Sequence, residues 1–357
     1  MSRSENVYRL ISRLSPSLSP LLHVLVLASF ALSTSLVAPP IFAQNTPLIS
    51  GGVGFFTSTN GGNTSYIPTI TPLIQAPIGK RIQIESRASL LEIFYPNGKG
   101  YDTTHYIALS YLQGDFIATR HMTVVGGLFL SPFGTYTERL SPIWISNLQE
   151  APLITPIGTG TGAGLGGMLR GNAYSNGKVS VDYSAYFSAR SGNEQFLASR
   201  STGLRVNAYL PKARLEVGMS YGRLLQGTNA NSYGLHIWWL PKNTPFKLRS
   251  EYAHTIHSQG YWIETDYRLS HFGGAESWIG RLEPIFRLQQ TFRDAPDPTD
   301  GLPAANTQRV DFGLDYHLPH NLRINTSYSR QFSSTGNKNL WQTGMVYRFL
   351  FPTWKGK

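Results

Sequence analysis

In the strands read between residues 202 and 349 one pattern recurs: alternate positions carry no charge apart from Arg223 at a strand end, and the other charges fall on the positions between them. In "RVDFGLDYHL" (309–318), Val310, Phe312, Leu314, Tyr316 and Leu318 share one side of an extended backbone. Arg309, Asp311, Gly313, Asp315 and His317 share the other. Strands read over 202–210, 213–223, 231–240, 246–253, 260–269, 277–289, 309–318, 322–329 and 341–349 continue both sides. The uncharged side runs through Leu204, Val206, Val217, Met219, Leu235, Ile237, Leu248, Tyr252, Ile263, Phe286, Ile324, Trp341 and Met345. The charged side holds Arg205, Arg214, Glu216, His236, Lys247, Arg249, Glu251, Glu264, Asp266, Arg268, Arg281, Glu283, Arg287, Arg309, Asp311, Asp315, His317, Arg323 and Arg348. Two architectures satisfy such a pattern. A sandwich of sheets turns the uncharged side inward, whereas a membrane barrel turns it to lipid and the charged side to an aqueous lumen.

The remaining sequence bears on that choice. Three arginines (Arg3, Arg9, Arg13) precede the apolar run "LLHVLVLASFALSTSLV" (21–37) and then "APPIFAQ", where Ala43 ends a small-residue cleavage pattern. This is the layout of a cleaved secretory signal peptide over 1–43, with a retained membrane anchor as the alternative; export together with the strand pattern makes the bacterial outer membrane the expected location. Loss of Arg3, Arg9, Arg13 and Glu5 takes the formal charge from +11 to +9. With no cysteine the chain has neither a disulfide framework nor a thiolate metal site. Past Gln44 there is no long apolar run, and period 2 dominates from about residue 80.

Connections alternate in length as well. "LPKA" (210–213 with its Leu), "LPKN" (240–243) and "LPHN" (318–321) are short, while "LQGTNANS" (225–232), "RDAPDPTDGLPAANT" (293–307) and "SSTGNKN" (333–339) are longer and polar. Short periplasmic turns and longer extracellular loops alternate in this way in outer-membrane barrels. "AYLPKARLEV", "WWLPKNTPFKLRS", "YRLSHFGG" and "YHLPHNLRIN" repeat an aromatic residue and Leu ahead of the turn, as in an interfacial girdle. Seven further strands are read at 51–58, 64–75, 80–94, 102–113, 115–131, 162–175 and 178–190, with "QGD" as the turn within 102–131 and "SNGK" as that before 178–190. The expected fold is therefore all-β: a transmembrane antiparallel barrel of about sixteen strands with both termini periplasmic, spanning 44–357.

One segment departs from the pattern. Residues 131–161 are too apolar for a freely solvated loop and too interrupted by Pro132, Pro142, Pro152 and Pro156 for a strand. Folded into the lumen, Ile143, Trp144, Ile145, Leu148, Leu153 and Ile154 gain a wall to pack against, and Glu138, Arg139, Asn147 and Glu150 fall near a constriction. An extracellular cap or an oligomer contact are the other placements.

"FKLRSEYAHTIHSQGYWIETDYRL", "EPIFRLQQTF" and the closing "WQTGMVYRF" resemble the C-terminal half of the phosphate-selective porin O/P family, and "GGLFLSPFGTY" with "GAGLGGMLRG" is similar to the middle of such barrels. The resemblance implies sixteen strands, homotrimers and a path for anions lined by arginine and lysine. On the inferred lumen side from residue 202 the basic groups are Arg205, Arg214, Lys247, Arg249, Arg268, Arg281, Arg287, Arg309, Arg323 and Arg348, against seven carboxylates. That excess implies a modest preference for anions, expected to fall on Arg205→Glu or Arg323→Glu. The same charges also suit pairing across strands, as Arg249 and Glu251 with Glu264, Asp266 and Arg268.

Other chemistries find little support. His254 and His257, three apart on a strand, point to opposite faces and make no metal site. Glycine-rich "GTGTGAGLGG" (158–167) lacks the Lys and following helix of a phosphate cradle. Basic residues are interleaved with carboxylates, so no nucleic-acid patch forms. No catalytic residues, cofactor or metal are expected. The partners expected are the lipid bilayer and small anionic or neutral hydrophilic solutes passing by diffusion. The competing reading is a barrel without conductance that serves adhesion or assembly.

Overall fold

A computed structural model describes residues 47–352 apart from 99, 158–162, 190–199, 227–228 and 296–299. The signal peptide read over 1–43 and the first five residues of the glycine-rich 158–167 stretch lie outside the described residues. Sixteen strands run β1 (Leu48–Asn60), β2 (Asn63–Ile78), β3 (Ile82–Asn97), β4 (Gly100–Thr119), β5 (Met122–Leu130), β6 (Ala163–Ser175), β7 (Ser180–Ala189) and β8 (Ser201–Leu210). They continue as β9 (Leu215–Leu224), β10 (Asn231–Trp239), β11 (Phe246–Thr255), β12 (Ser258–Tyr267), β13 (Leu282–Arg293), β14 (Thr307–His317), β15 (Leu322–Ser333) and β16 (Lys338–Pro352). Every strand pairs antiparallel with its sequence neighbours, and β1 closes on β16 from Leu48 opposite Pro352 to Asn60 opposite Leu340. The result is a closed sixteen-stranded barrel whose first and last strands begin and end at one rim.

Local chemistry accounts for the turns. At "SNGK", Asn176 Oδ1 accepts from the amides of Lys178 and Val179 at 2.8 Å each, a side-chain turn that the asparagine supplies for itself. The repeated Leu-Pro-x-x connections each place a residue in the left-handed region: Arg214 (φ 51°), Asn243 (φ 60°) and Asn321 (φ 61°). Proline presets the first turn residue, and asparagine tolerates the left-handed one. Pro68 and Pro72 lie within β2, and the β2–β3 register skips them; a residue without an N–H has nothing to donate across that ladder.

Most strand ends shift by a few residues from the expectation, and two differences change the connections. β4 runs unbroken through Gln113-Gly114-Asp115, and the chain reverses instead at Arg120 and His121. Gly114 is a strand residue here, so its presence signalled no turn. The strand read over 277–289 begins only at Leu282, because Leu269–Phe272 form a short 3-10 helix and a folded connection continues to Arg281.

Burial decides between the two architectures. On β14, Arg309, Asp311 and Asp315 are 6%, 1% and 0% exposed, whereas Phe312 and Leu314 are 56% and 39% exposed. Leu204, Met219, Leu235, Ile237, Ile324, Trp341 and Met345 are likewise exposed, and Arg249, Glu264, Asp266, Glu283 and Arg287 are buried. A sandwich requires the reverse. The uncharged row is the outside of the barrel, facing hydrocarbon, and the charges face in. Strands such as β7, with 10 residues, and β10, with 9, match the length needed to cross tilted. Aromatic pairs mark both ends: Trp239 with Phe246 (6.1 Å) near the terminal rim, and Tyr221 with Tyr233 (5.6 Å) and Tyr328 with Trp341 (6.2 Å) toward the other.

Phe312→Arg, which puts a cation among lipid tails, is expected to cost about 2–4 kcal/mol in denaturant titrations of the lipid-reconstituted protein, while Phe312→Leu costs far less. Equal stability of the two variants contradicts this assignment of the outer face.

Candidate functional site

The inner face is built by register. Arg249, Glu264, Arg287 and Asp311 stand opposite one another on β11, β12, β13 and β14, so neighbouring strands present alternating charge at one level. Glu264 accepts from Arg249 and from Arg287, each at 2.6 Å. Lys247 bridges Asp266 (2.8 Å) and Glu283 (2.6 Å), Glu283 also meets His317 (2.6 Å), and Arg323 meets Asp315 (3.0 Å). Directly opposed opposite charges on adjacent strands attract. Buried charges persist only when paired and hydrogen-bonded, and here the pairing is continuous across five strands.

The segment after β5 completes that pairing. Its carbonyls accept from wall arginines: Gly134 from Arg205 (2.8 Å), Ile143 and Ser146 from Arg323 (3.0 and 2.6 Å), Glu150 from Arg287 (2.8 Å) and Ala151 from Arg309 (2.9 Å). Wall carboxylates and amides hold its donors. Glu251 receives the Thr135 amide and hydroxyl and the Tyr136 amide (2.8 Å), and Trp262 Nε1 reaches its second oxygen at 3.2 Å. Gln289 receives the Leu153 amide at 2.8 Å. The segment therefore lies against the charged inner face, fastened by its own backbone. A single π turn over Tyr136–Leu140 forms where Glu251 anchors it.

Apolar side chains of the segment need sockets in a polar wall, and glycine provides them. A Cβ on Gly313 meets Leu148 at 2.7 Å, one on Gly260 meets Ile154 at 2.6 Å, and one on Gly52 meets Trp144 at 2.9 Å. Tyr136, Leu140, Ile154 and Ile157 pack with Ala253 and Trp262 as a buried cluster. The segment's proline-broken backbone and its apolar content thus have one explanation: it is a lining folded onto the wall.

Opposite this lining, a cavity of about 430 Å³ stays open between the segment and β5–β9. Glu138 and Arg139 face into it from the segment, and Arg170, Asp182, Arg205 and Glu216 from the wall. Arg139 pairs with Glu216 at 2.5 Å and lies 4.2 Å from the centre of the Trp238 ring; Arg205 pairs with Glu138 at 2.6 Å; Arg170 pairs with Asp115. In most inner pairs the cation is the more exposed partner. Side-chain exposure is 36% for Arg139 against 15% for Glu216, 34% for Arg170 against 7% for Asp115, and 37% for Lys247 against 0% for Asp266. Arg205 and Glu138 are the reverse, at 10% and 25%.

The residues singled out from sequence thus divide into groups. Arg205, Lys247, Arg249, Arg287, Arg309 and Arg323 are on the inner face, but each is committed to a carboxylate, and Arg205, Arg287, Arg309 and Arg323 also carry the lining segment. Arg214 is exposed in the β8–β9 turn, because the Leu-Pro-x-x connection needs it there in left-handed geometry. Arg268 and Arg281 belong to the β12–β13 connection, where Arg268 donates to the Gly280 carbonyl at 3.2 Å and Arg281 pairs with exposed Glu276 at 3.0 Å. Arg348 is exposed near the end of β16. Of the four segment candidates, Glu138 and Arg139 border the cavity. Asn147 is instead buried, donating to Asp266 at 3.0 Å and Glu264 at 3.3 Å, and the Glu150 side chain accepts from Gln342 at 3.0 Å. Sequence reading missed Arg170, Asp182 and Glu251 as site residues. The signal for the first two was present, since both lie at charged alternate positions of the strands read over 162–190.

No family model matches the chain, and no curated protein matches its sequence. Solved structures do match in fold. The Salmonella typhi OmpF complex with daunomycin superposes with a TM-score of 0.57 at 11% identity, covering 85% of this chain and 97% of that one. A loop L8 deletion mutant of OmpT, an outer membrane protein of Vibrio cholerae, gives 0.54 at 8% identity, covering 85% and 99%. An anion-selective porin from Comamonas acidovorans gives 0.53 at 10% identity, covering 86% and 99%. At these identities the likeness is one of fold.

Glu251→Ala removes the acceptor that holds Thr135 and Tyr136, and hydrogen bonds to a charged group contribute about 1.5–3 kcal/mol each. Trypsin cleavage after Arg139 in the folded, detergent-solubilised protein is expected to quicken on the order of 100-fold. Unchanged cleavage contradicts the anchoring role.

Proposed function

We propose that this protein is a bacterial outer-membrane porin, a passive diffusion channel for small hydrophilic solutes with a modest preference for anions. The observation that carries the reading is the combination of a closed sixteen-stranded barrel with an inner face that is charged, and an open cavity beside the segment folded onto it. A sixteen-stranded barrel is wide enough for an aqueous path. The uneven exposure of Arg139, Arg170 and Lys247 over their partners Glu216, Asp115 and Asp266 supports the sign: at these three pairs a passing ion meets the cation before the carboxylate. The fold likeness to an anion-selective porin is consistent with that sign. Pairing of the inner cations favours a general path over a dedicated phosphate site. Homotrimers and export through a cleaved leader over 1–43 belong to the same proposal.

Purified protein in planar bilayers tests both parts. Stepwise conductance is expected, with a reversal potential in a salt gradient on the anion side, and Arg139→Gln moves it toward cations because a 36%-exposed guanidinium is lost beside Glu216. Arg139 is a cleaner probe than Arg205 or Arg323, whose replacement also unfastens the segment. Absence of channels at any salt concentration removes the porin reading in favour of a non-conducting barrel. Conductance with no ion preference removes only the sign.

A further inference from the structure

The wall beside the cavity is ordered in two levels. Thr123, Arg170, Ser184, Arg205 and Ser220 stand opposite one another on β5, β6, β7, β8 and β9, and this level carries only cations and hydroxyls. Two residues nearer the terminal rim, Asn172, Asp182 and Asn207 stand opposite one another on β6, β7 and β8, and this level carries only oxygen acceptors and amides. At about 3.3 Å per strand residue the levels are about 7 Å apart. Cations above and acceptors below form a fixed dipole along the pore wall.

The commitments of these groups differ in a way that matters. Asp182 is exposed and receives one hydrogen bond, from Asn172 at 2.8 Å. Asn207 borders the cavity, but its Oδ1 is buried against Gly218, which leaves Asp182 as the accessible acceptor of its level. Arg170 is one-third exposed although paired, and Arg139, held by Glu216 and the Trp238 ring, keeps 36% of its side chain exposed. Each guanidinium has five donors, more than one carboxylate consumes.

Resting on the channel reading above, we infer that the cavity walled by β5–β9 is a binding station for small zwitterions of amino-acid to dipeptide size. The solute carboxylate takes the remaining donors of Arg139 and Arg170, and its ammonium group takes the exposed Asp182 carboxylate beneath. A simple anion meets only the upper level and is repelled by Asp182. A simple cation meets the lower level and is repelled by the arginines. A molecule carrying both charges a few ångströms apart satisfies the two levels at once, and 430 Å³ accommodates it. Screening makes such an interaction strongest at low ionic strength.

The test is block of single-channel current at low salt by diglycine, with N-acetylglycine as an anion and glycinamide as a cation of similar size. Diglycine is expected to half-block at a concentration about tenfold lower than either analogue. Asp182→Asn and Arg139→Gln are each expected to raise its half-blocking concentration to the range of the analogues. Asp182→Asn is isosteric at an exposed position, and heat-modifiable migration on gels verifies that each variant is folded. Conducting channels that diglycine blocks no better than its analogues, or no less well in the variants, overturn the zwitterion station while leaving the porin reading in place. Folded protein without conductance in every arm overturns both.

Discussion

Everything in this molecule follows from which side of the strand meets hydrocarbon. In water-soluble proteins apolar side chains are withdrawn and charges are displayed; here Phe312 is displayed and its neighbour Asp311 is withdrawn. Lipid supplies no hydrogen bonds, so every backbone N–H and C=O at membrane depth must pair within the protein. A sheet satisfies that demand only by closing. Leu48 opposite Pro352 and Asn60 opposite Leu340 are where it closes, and they remove the last free edges. Closure in turn creates an interior that cannot be apolar throughout if water is to occupy it.

The interior resolves a second problem. Arginines and carboxylates facing each other across adjacent strands attract in pairs, yet each keeps donors or acceptors to spare. The segment after β5 takes up that surplus with its own backbone: its carbonyls receive Arg205, Arg287, Arg309 and Arg323, and its amides meet Glu251 and Gln289. Glycines in the wall admit its Leu148, Ile154 and Trp144. The same arginines that look like a solute path in the sequence are therefore the mounts of the lining, and the open cavity lies toward β5–β9, where Arg139 and Arg170, paired with Glu216 and Asp115, are one-third exposed and Asp182 is exposed.

Much of the fold is legible from alternation alone, because a period of two sorts residues onto faces without knowledge of partners. Val310 and Phe312 against Asp311 and Asp315 define the faces, the alternation of short and long connections favours a membrane barrel, and the even strand count puts both termini at one rim. The turn placed at Gln113-Gly114-Asp115 failed because glycine inside a strand and glycine in a turn read alike, and the reversal at Arg120-His121 carries neither glycine nor proline. Parity assigns Arg214 to the lumen, but parity lapses in a left-handed turn residue. The site was less legible than the barrel for a specific reason. Whether an inward arginine is free or committed depends on register, which strand neighbours fix, and on a distant segment. Gly313 and Gly260 are informative only once Leu148 and Ile154 are known to need room.

The chain has no cysteine, so single cysteines introduced for spin labels report unambiguously on their surroundings. In bilayers, a label at Phe312→Cys is expected to collide freely with dissolved oxygen, which concentrates among acyl chains, and little with a water-soluble nickel chelate, while a label at Asp182→Cys shows the opposite preference. A label at residue 312 more accessible to the nickel chelate than one at residue 182 contradicts the outward placement of the uncharged row, and with it the account given above.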